Sequence, residues 1–229
     1  MHSQSIDLQA ADGQHFPAWV ATPEGPPRGA IVVLQEIFGV NPHIRAVTER
    51  FAARGYLAVA PALFTRVQPL VELGYSAEDM QAGMALKAAV EQLPGAGVLP
   101  DIQAAIDYAQ ERSGTKVVAV GFCWGGLLAW RAACTLQGLA GVACYYGGGM
   151  TSAEEAARQP HCPVLAHFGR HDQWIALDSV QAFSRAHPDV AVHVYEADHG
   201  FNCDQRASYD EASAMAARDR TLAFFDHCL

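Results

Sequence analysis

At 229 residues, 51% hydrophobic and 17% charged, the chain is long enough for one domain with a substantial core, and its composition excludes a disordered polymer. A formal net charge of −9 with no basic stretch excludes a nucleic-acid footprint, and no apolar run approaches the length of a membrane span. Six cysteines without any C-x-x-C spacing argue against a disulfide framework, a dithiol redox centre or a zinc ribbon.

Those cysteines, and a start that lacks a cationic region followed by an apolar one, lead to the expectation of a cytoplasmic protein without a secretory leader. In chain order, residues 6–10 and 16–21 read as two short strands around Asp12-Gly13, a hairpin signal, and Pro17 points to an edge strand. Residues 30–34 are a continuous apolar run, the mark of a buried strand, leading into Gln35-Glu36-Ile37-Phe38-Gly39. Asn41 and Pro42 form an N-cap and first-turn pair for a helix to about Arg54, stopped by Gly55. Residues 56–60 are the next strand, which sets a βαβ rhythm and hence a parallel sheet.

Residues 61–75 are irregular and are expected near a cleft mouth. Ser76 starts a helix through Gln92, residues 94–97 break it, and Pro100-Asp101 opens another that ends near Gly114. Further strands are expected at 117–120, 139–146, 163–168 and 190–195, the last alternating enough to be nearer an edge, with helices at 127–133, 177–186 and 207–228. The fold class is therefore α/β: a doubly wound, mostly parallel sheet flanked by helices in a single domain over 1–229.

The chemistry concentrates at Val117-Val118-Ala119-Val120-Gly121-Phe122-Cys123-Trp124-Gly125-Gly126. Strand, sharp turn and helix meet at Gly-x-Cys-x-Gly, a nucleophile elbow with cysteine in the place of serine. A thiol at a helix N-terminus gains positive potential that favours its thiolate. Cys134, Cys144, Cys162 and Cys228, in helix- or strand-like surroundings, read as small structural hydrophobes.

Downstream, Asp172 and His199 each follow a strand, giving the order nucleophile, acid, histidine. A histidine within reach takes the thiol proton, and a carboxylate on its other nitrogen fixes the tautomer. Backbone N–H groups of Ile37 and Trp124 are the expected oxyanion donors. Glu36, just after a buried strand, is expected to be a cleft carboxylate. His167 and His171 are weaker candidates for the base and Asp198 for the acid, and His161, His167 and His171 lack the spacing of a metal site.

With these pieces in place, the chain resembles the dienelactone hydrolase (carboxymethylenebutenolidase) family of α/β-hydrolases. The resemblance is carried by Gln35-Glu36-Ile37-Phe38-Gly39, Pro61-Ala62-Leu63-Phe64, the Cys123 elbow, Tyr145-Tyr146-Gly147, Gly169-x-x-Asp172 and His199-Gly200-Phe201. It implies cleavage of an enol-lactone or related small ester through an acyl-cysteine, with Cys123 as nucleophile, His199 as base and Asp172 as its orienting acid. It also implies that Glu36 holds or deprotonates the thiol and that no metal, organic cofactor or obligate protein partner is needed; Phe38, Tyr145 and Arg206 are the candidates for substrate contact.

Dienelactone-cleaving members of the family grip the substrate carboxylate with arginines. One stands four residues after the catalytic histidine, where this chain has Cys203, with Arg206 three further on; the other is expected near the helix at Ser76, yet no arginine lies between Arg66 and Arg112. A less charged ester or lactone is one consequence. Two other functions stay open at this level: a non-catalytic binding or sensor protein on a hydrolase scaffold, and a thiol peroxidase using Cys123 with Cys203 nearby.

Overall fold

The computed structural model describes residues 1–229. Eight strands form one sheet: β1 (His2–Gln9), β2 (His15–Thr22), β3 (Gly29–Leu34), β4 (Tyr56–Pro61), β5 (Val117–Phe122), β6 (Leu139–Tyr145), β7 (Val164–Gly169) and β8 (Ala191–Tyr195), in the order β1-β2-β4-β3-β5-β6-β7-β8. The β1–β2 and β2–β4 pairs are antiparallel and every other pair is parallel. Helices α1 (Pro42–Ala52), α2 (Ala77–Glu91), α3 (Leu99–Ser113), α4 (Trp124–Thr135), α5 (Ala153–Ala156), α6 (Leu177–Ala186) and α7 (Glu211–Cys228) complete the chain. None of them is long and apolar enough to cross a membrane.

Strands β3, β4, β5 and β7 are buried along their whole length, as the apolar runs of strands covered on both faces require, with His167 the one polar break, in β7. β8, half-exposed, is an edge. β2 is not, contrary to the signal from Pro17. Its pairing with β4 begins only at Ala18, so the missing N–H of Pro17 interrupts no bond on that side, and the Pro17 carbonyl still accepts from Ala62 N–H at 2.9 Å. The last helix starts at Glu211 rather than 207 because Asp210 caps it, accepting from Ser213 N–H at 2.8 Å. The four-residue α5 has too little periodicity to be read from sequence. Cys162 lies in the loop before β7, half-buried, and not in a helix or strand.

Two close approaches fix the elbow and the helix above it. A Cβ on Gly125 would lie 2.3 Å from the Leu34 carbonyl oxygen and 2.5 Å from that of Gln35, so only glycine lets α4 begin this close to the end of β3. On α2, a Cβ on Gly83 would lie 2.4 Å from the Ile37 carbonyl oxygen, so this glycine lets the helix settle directly on the segment after β3. Gly125→Ala should therefore lower the denaturant midpoint, by a cost at the upper end of the ~1–3 kcal/mol typical of overpacking. Gly148→Ala, with nothing within 4 Å of the added carbon, is the matched control. Equal midpoints for the two variants would contradict the packing argument.

Candidate active site

Cys123 is the N-cap of α4, with φ 55° and ψ −118°. A non-glycine residue in that region carries strain, which persists only where the surroundings over-determine it. They do so here: Cys123 N–H donates to the Tyr145 carbonyl at 3.0 Å, and the Cys123 carbonyl accepts from Gly126 N–H at 2.9 Å. The side chain is thereby turned off the end of β5 into a pocket of about 210 Å³.

His199 faces Cys123 across this pocket. Its Nδ1 donates to Asp172 Oδ2 at 2.7 Å, which leaves Nε2 for the sulfur. Asp172 is itself held: Oδ1 accepts from Trp174 N–H at 2.8 Å and Ile175 N–H at 3.2 Å. The loop after β7 is tied to the loop after β8 by Arg170 N–H on the Tyr195 carbonyl (2.7 Å) and His171 N–H on the Ala197 carbonyl (3.1 Å), which brings the acid to the histidine. Burial alone would lower the pKa of His199. The negative charge of the Cys123 sulfur and the hydrogen bond to Asp172 outweigh it and push the imidazole up to about 10.

The weaker candidates fall away on placement. His167 is buried within β7, its ring nitrogens bonded to Tyr195 Oη (2.9 Å) and Thr221 Oγ1 (3.0 Å), and burial holds it well below the usual histidine range. His171 is exposed beside Glu196, and Asp198 is exposed and does not line the pocket that His199 lines.

Glu36 is fully buried. Its Oε1 accepts from Arg206 at 3.3 Å and its Oε2 from the Tyr75 hydroxyl at 3.0 Å. Gln35 pins the segment beside it by accepting from Leu63 N–H at 3.0 Å. Asn41 caps α1 through Ile44 N–H and donates from Nδ2 to the Leu73 carbonyl and to the Tyr75 hydroxyl, which sets that hydroxyl on Glu36. Cys203 lies in the same buried group. Burial, and then the charge of Glu36, push its thiol up to about 12.

Arg206 reaches the site in spite of its register. Cys203 N–H returns to the Gly200 carbonyl and Arg206 N–H to the Cys203 carbonyl, and these successive turns bring the guanidinium back over Phe38 and Tyr75 and onto Glu36. Ile37, Phe38, Trp124 and Arg206 all line the pocket. Tyr145 does not: its hydroxyl is bonded to Thr221 at 2.7 Å inside the core, because strand alternation turns it inward. Its neighbour Tyr146, at φ 37°, packs its ring 5.1 Å from that of His199.

Sequence reasoning missed Met80, Met84 and Lys87 of α2, together with Gly148, Gly149 and Trp174. The helical spacing of Met80, Met84 and Lys87 places them on one face and was the available signal; only the close approach at Gly83 turns that face toward the pocket.

The dienelactone hydrolase family model matches residues 16–229. The carboxymethylenebutenolidase of Pseudomonas putida is 34% identical over 232 residues, covering 98% of this chain and 96% of that one. A protein of Synechocystis sp. provisionally named carboxymethylenebutenolidase is 37% identical over 211 residues, covering 85% of this chain and 84% of its own. A Klebsiella pneumoniae crystal structure provisionally called a dienelactone hydrolase superposes with a TM-score of 0.81 at 32% identity, over 99% of both chains. On this similarity along nearly its whole length, with the mostly parallel sheet beneath it, the chain belongs to the dienelactone hydrolase family of α/β-hydrolases, enzymes that hydrolyse esters or lactones.

Proposed function

We propose that this chain cleaves a small ester or lactone through an acyl-cysteine intermediate on Cys123. The observation that carries this reading is the position of His199, which lines one pocket with Cys123 and is bonded through Nδ1 to the Asp172 carboxylate.

His199 Nε2 holds the thiol proton as imidazolium, and the sulfur attacks the carbonyl carbon as the thiolate. The resulting oxyanion faces the N–H groups of Ile37 and Trp124, the latter at the N-terminus of α4, where helix N–H groups have no internal partner. Collapse breaks the C–O bond, and the imidazolium returns its proton to the leaving alkoxide. Water then attacks the thioester with His199 as base, the sulfur leaves, and the acid departs. Asp172 stays ionised throughout and stabilises the imidazolium.

The walls supplied by Phe38, Met80, Met84 and Trp174 suit an apolar substrate body, while Arg206 and Lys87 put two positive charges on the lining. An ester or lactone carrying one anionic substituent fits both features. Arg206, paired with Glu36, is held over Phe38 and Tyr75 and cannot swing freely, which makes it a fixed anchor for that anion.

An acid quench during turnover of p-nitrophenyl acetate tests the proposal. One acetyl group should be found by mass spectrometry on the peptide containing Cys123. Turnover with the label elsewhere would overturn the acyl-cysteine reading, and ligand retention without turnover would replace it with a binding role.

A further inference from the structure

Behind the pocket, a ring nitrogen of His43, the sulfur of Cys203 and a carboxylate oxygen of Glu36 lie within 4.8 Å of one another, and all three residues are buried. His43 Nδ1 is bonded to Asp204 Oδ1 at 3.1 Å. Its Nε2 is buried without any hydrogen-bond partner. A histidine whose Nδ1–H is held by a carboxylate presents a bare lone pair at Nε2, and that is the arrangement by which proteins orient an imidazole toward a metal ion. An unpaired lone pair in the interior is otherwise a cost with no return.

We propose that Cys203, His43 and Glu36 form a binding site for a zinc-like divalent cation, and that the bound ion slows hydrolysis by drawing Glu36 away from Arg206. The donor set of sulfur, imidazole nitrogen and one carboxylate favours zinc or cobalt over magnesium or calcium, which prefer oxygen alone. Zinc–sulfur and zinc–nitrogen bonds of about 2.3 and 2.0 Å put tetrahedral ligands roughly 3.5 Å apart, so the three groups need to close by about 1 Å. Binding exchanges the S–H bond of Cys203 for a sulfur–metal bond and releases that proton to solvent, with no change of oxidation state. Asp204, partly exposed and also held by Arg50 at 2.8 Å, stands between the site and solvent as the orienting group for His43. The inhibitory half of the proposal rests on the reading of Arg206 as the substrate anchor.

The test uses the full chain carrying Cys123→Ala, so that the proposed nucleophile cannot supply the sulfur. After treatment with a chelator it is titrated with Co²⁺. The expected result is one equivalent bound with a sulfur-to-cobalt charge-transfer band in the near ultraviolet, displaced by Zn²⁺. Adding Cys203→Ala should abolish the band, with folding checked by circular dichroism. Asp204→Asn, a change at a partly exposed residue, should weaken Zn²⁺ binding by about 10- to 100-fold and serves as the second variant should loss of Cys203 disturb the fold. No band, or a band that survives the loss of Cys203, would overturn the site. For the inhibitory half, Zn²⁺ should lower ester turnover of the unsubstituted chain, and Asp204→Asn should need about 10- to 100-fold more Zn²⁺ for the same loss. Equal inhibition of both chains would overturn that half while leaving the cobalt result to stand by itself. The band also reports on the site independently of any hydrolysis, so failure of the acyl-cysteine reading is separately visible.

Discussion

Cys123→Ala is expected to lower kcat for ester hydrolysis by a factor on the order of 10⁵ to 10⁶, the loss typical when the nucleophile of a catalytic triad is removed. The reason is geometric. Cys123 is held at φ 55° at the start of α4, and no other thiol or hydroxyl side chain lines the same pocket as His199. Alanine has no atom to form the thioester. It also removes the negative charge that raises His199, so the imidazole should titrate at a lower pH in this variant. A steady-state assay with p-nitrophenyl acetate measures the rate, and proton NMR of the imidazole measures the titration. Turnover within tenfold of the unsubstituted chain would remove Cys123 from the mechanism, whatever the resemblance implies.

The second large effect concerns Asp172. In the native chain the imidazolium of His199 persists through neutral pH, because its pKa is raised from near 6.5 to about 10. A raised histidine is protonated below its pKa and loses the proton as pH rises through it. The free enzyme's acid for the leaving alkoxide should therefore disappear near pH 10, and kcat/KM should show an alkaline limb there. Asp172→Asn removes both the charge and the preferred hydrogen bond that help raise the imidazole. The limb should move to lower pH, and kcat should fall by a factor on the order of 10³ to 10⁴, as when the acid of a Ser-His-Asp triad is replaced by its amide. A fall in rate with an unmoved limb would mean that Asp172 only braces the loop, through its bonds to Trp174 and Ile175, and does not act on His199.

The local signals in the sequence were strong where one physical cause dominates. Uninterrupted apolar runs gave β3, β4 and β5 because a strand covered on both faces tolerates little else. Asn41 and Ser76 were legible as caps because their side chains satisfy N–H groups that the helix leaves free. Pro17 misled because a proline reports a missing donor and not which strand lies beside it. Tyr145 misled for a similar reason: in a Tyr-Tyr pair at a strand end, alternation and the turn decide which ring goes inward, and the motif alone does not.

By itself the sequence determined the βαβ rhythm, the glycine-flanked elbow and the chain order of cysteine, aspartate and histidine, since each rests on residues close together or on their order along the chain. Only the tertiary structure decided that Arg206 folds back onto Glu36, that Glu36 turns to Tyr75 and Arg206, and that one face of α2 lines the pocket. These depend on turns and backbone approaches between segments far apart in the chain, such as Gly83 against the Ile37 carbonyl, and no local pattern encodes where two such surfaces meet.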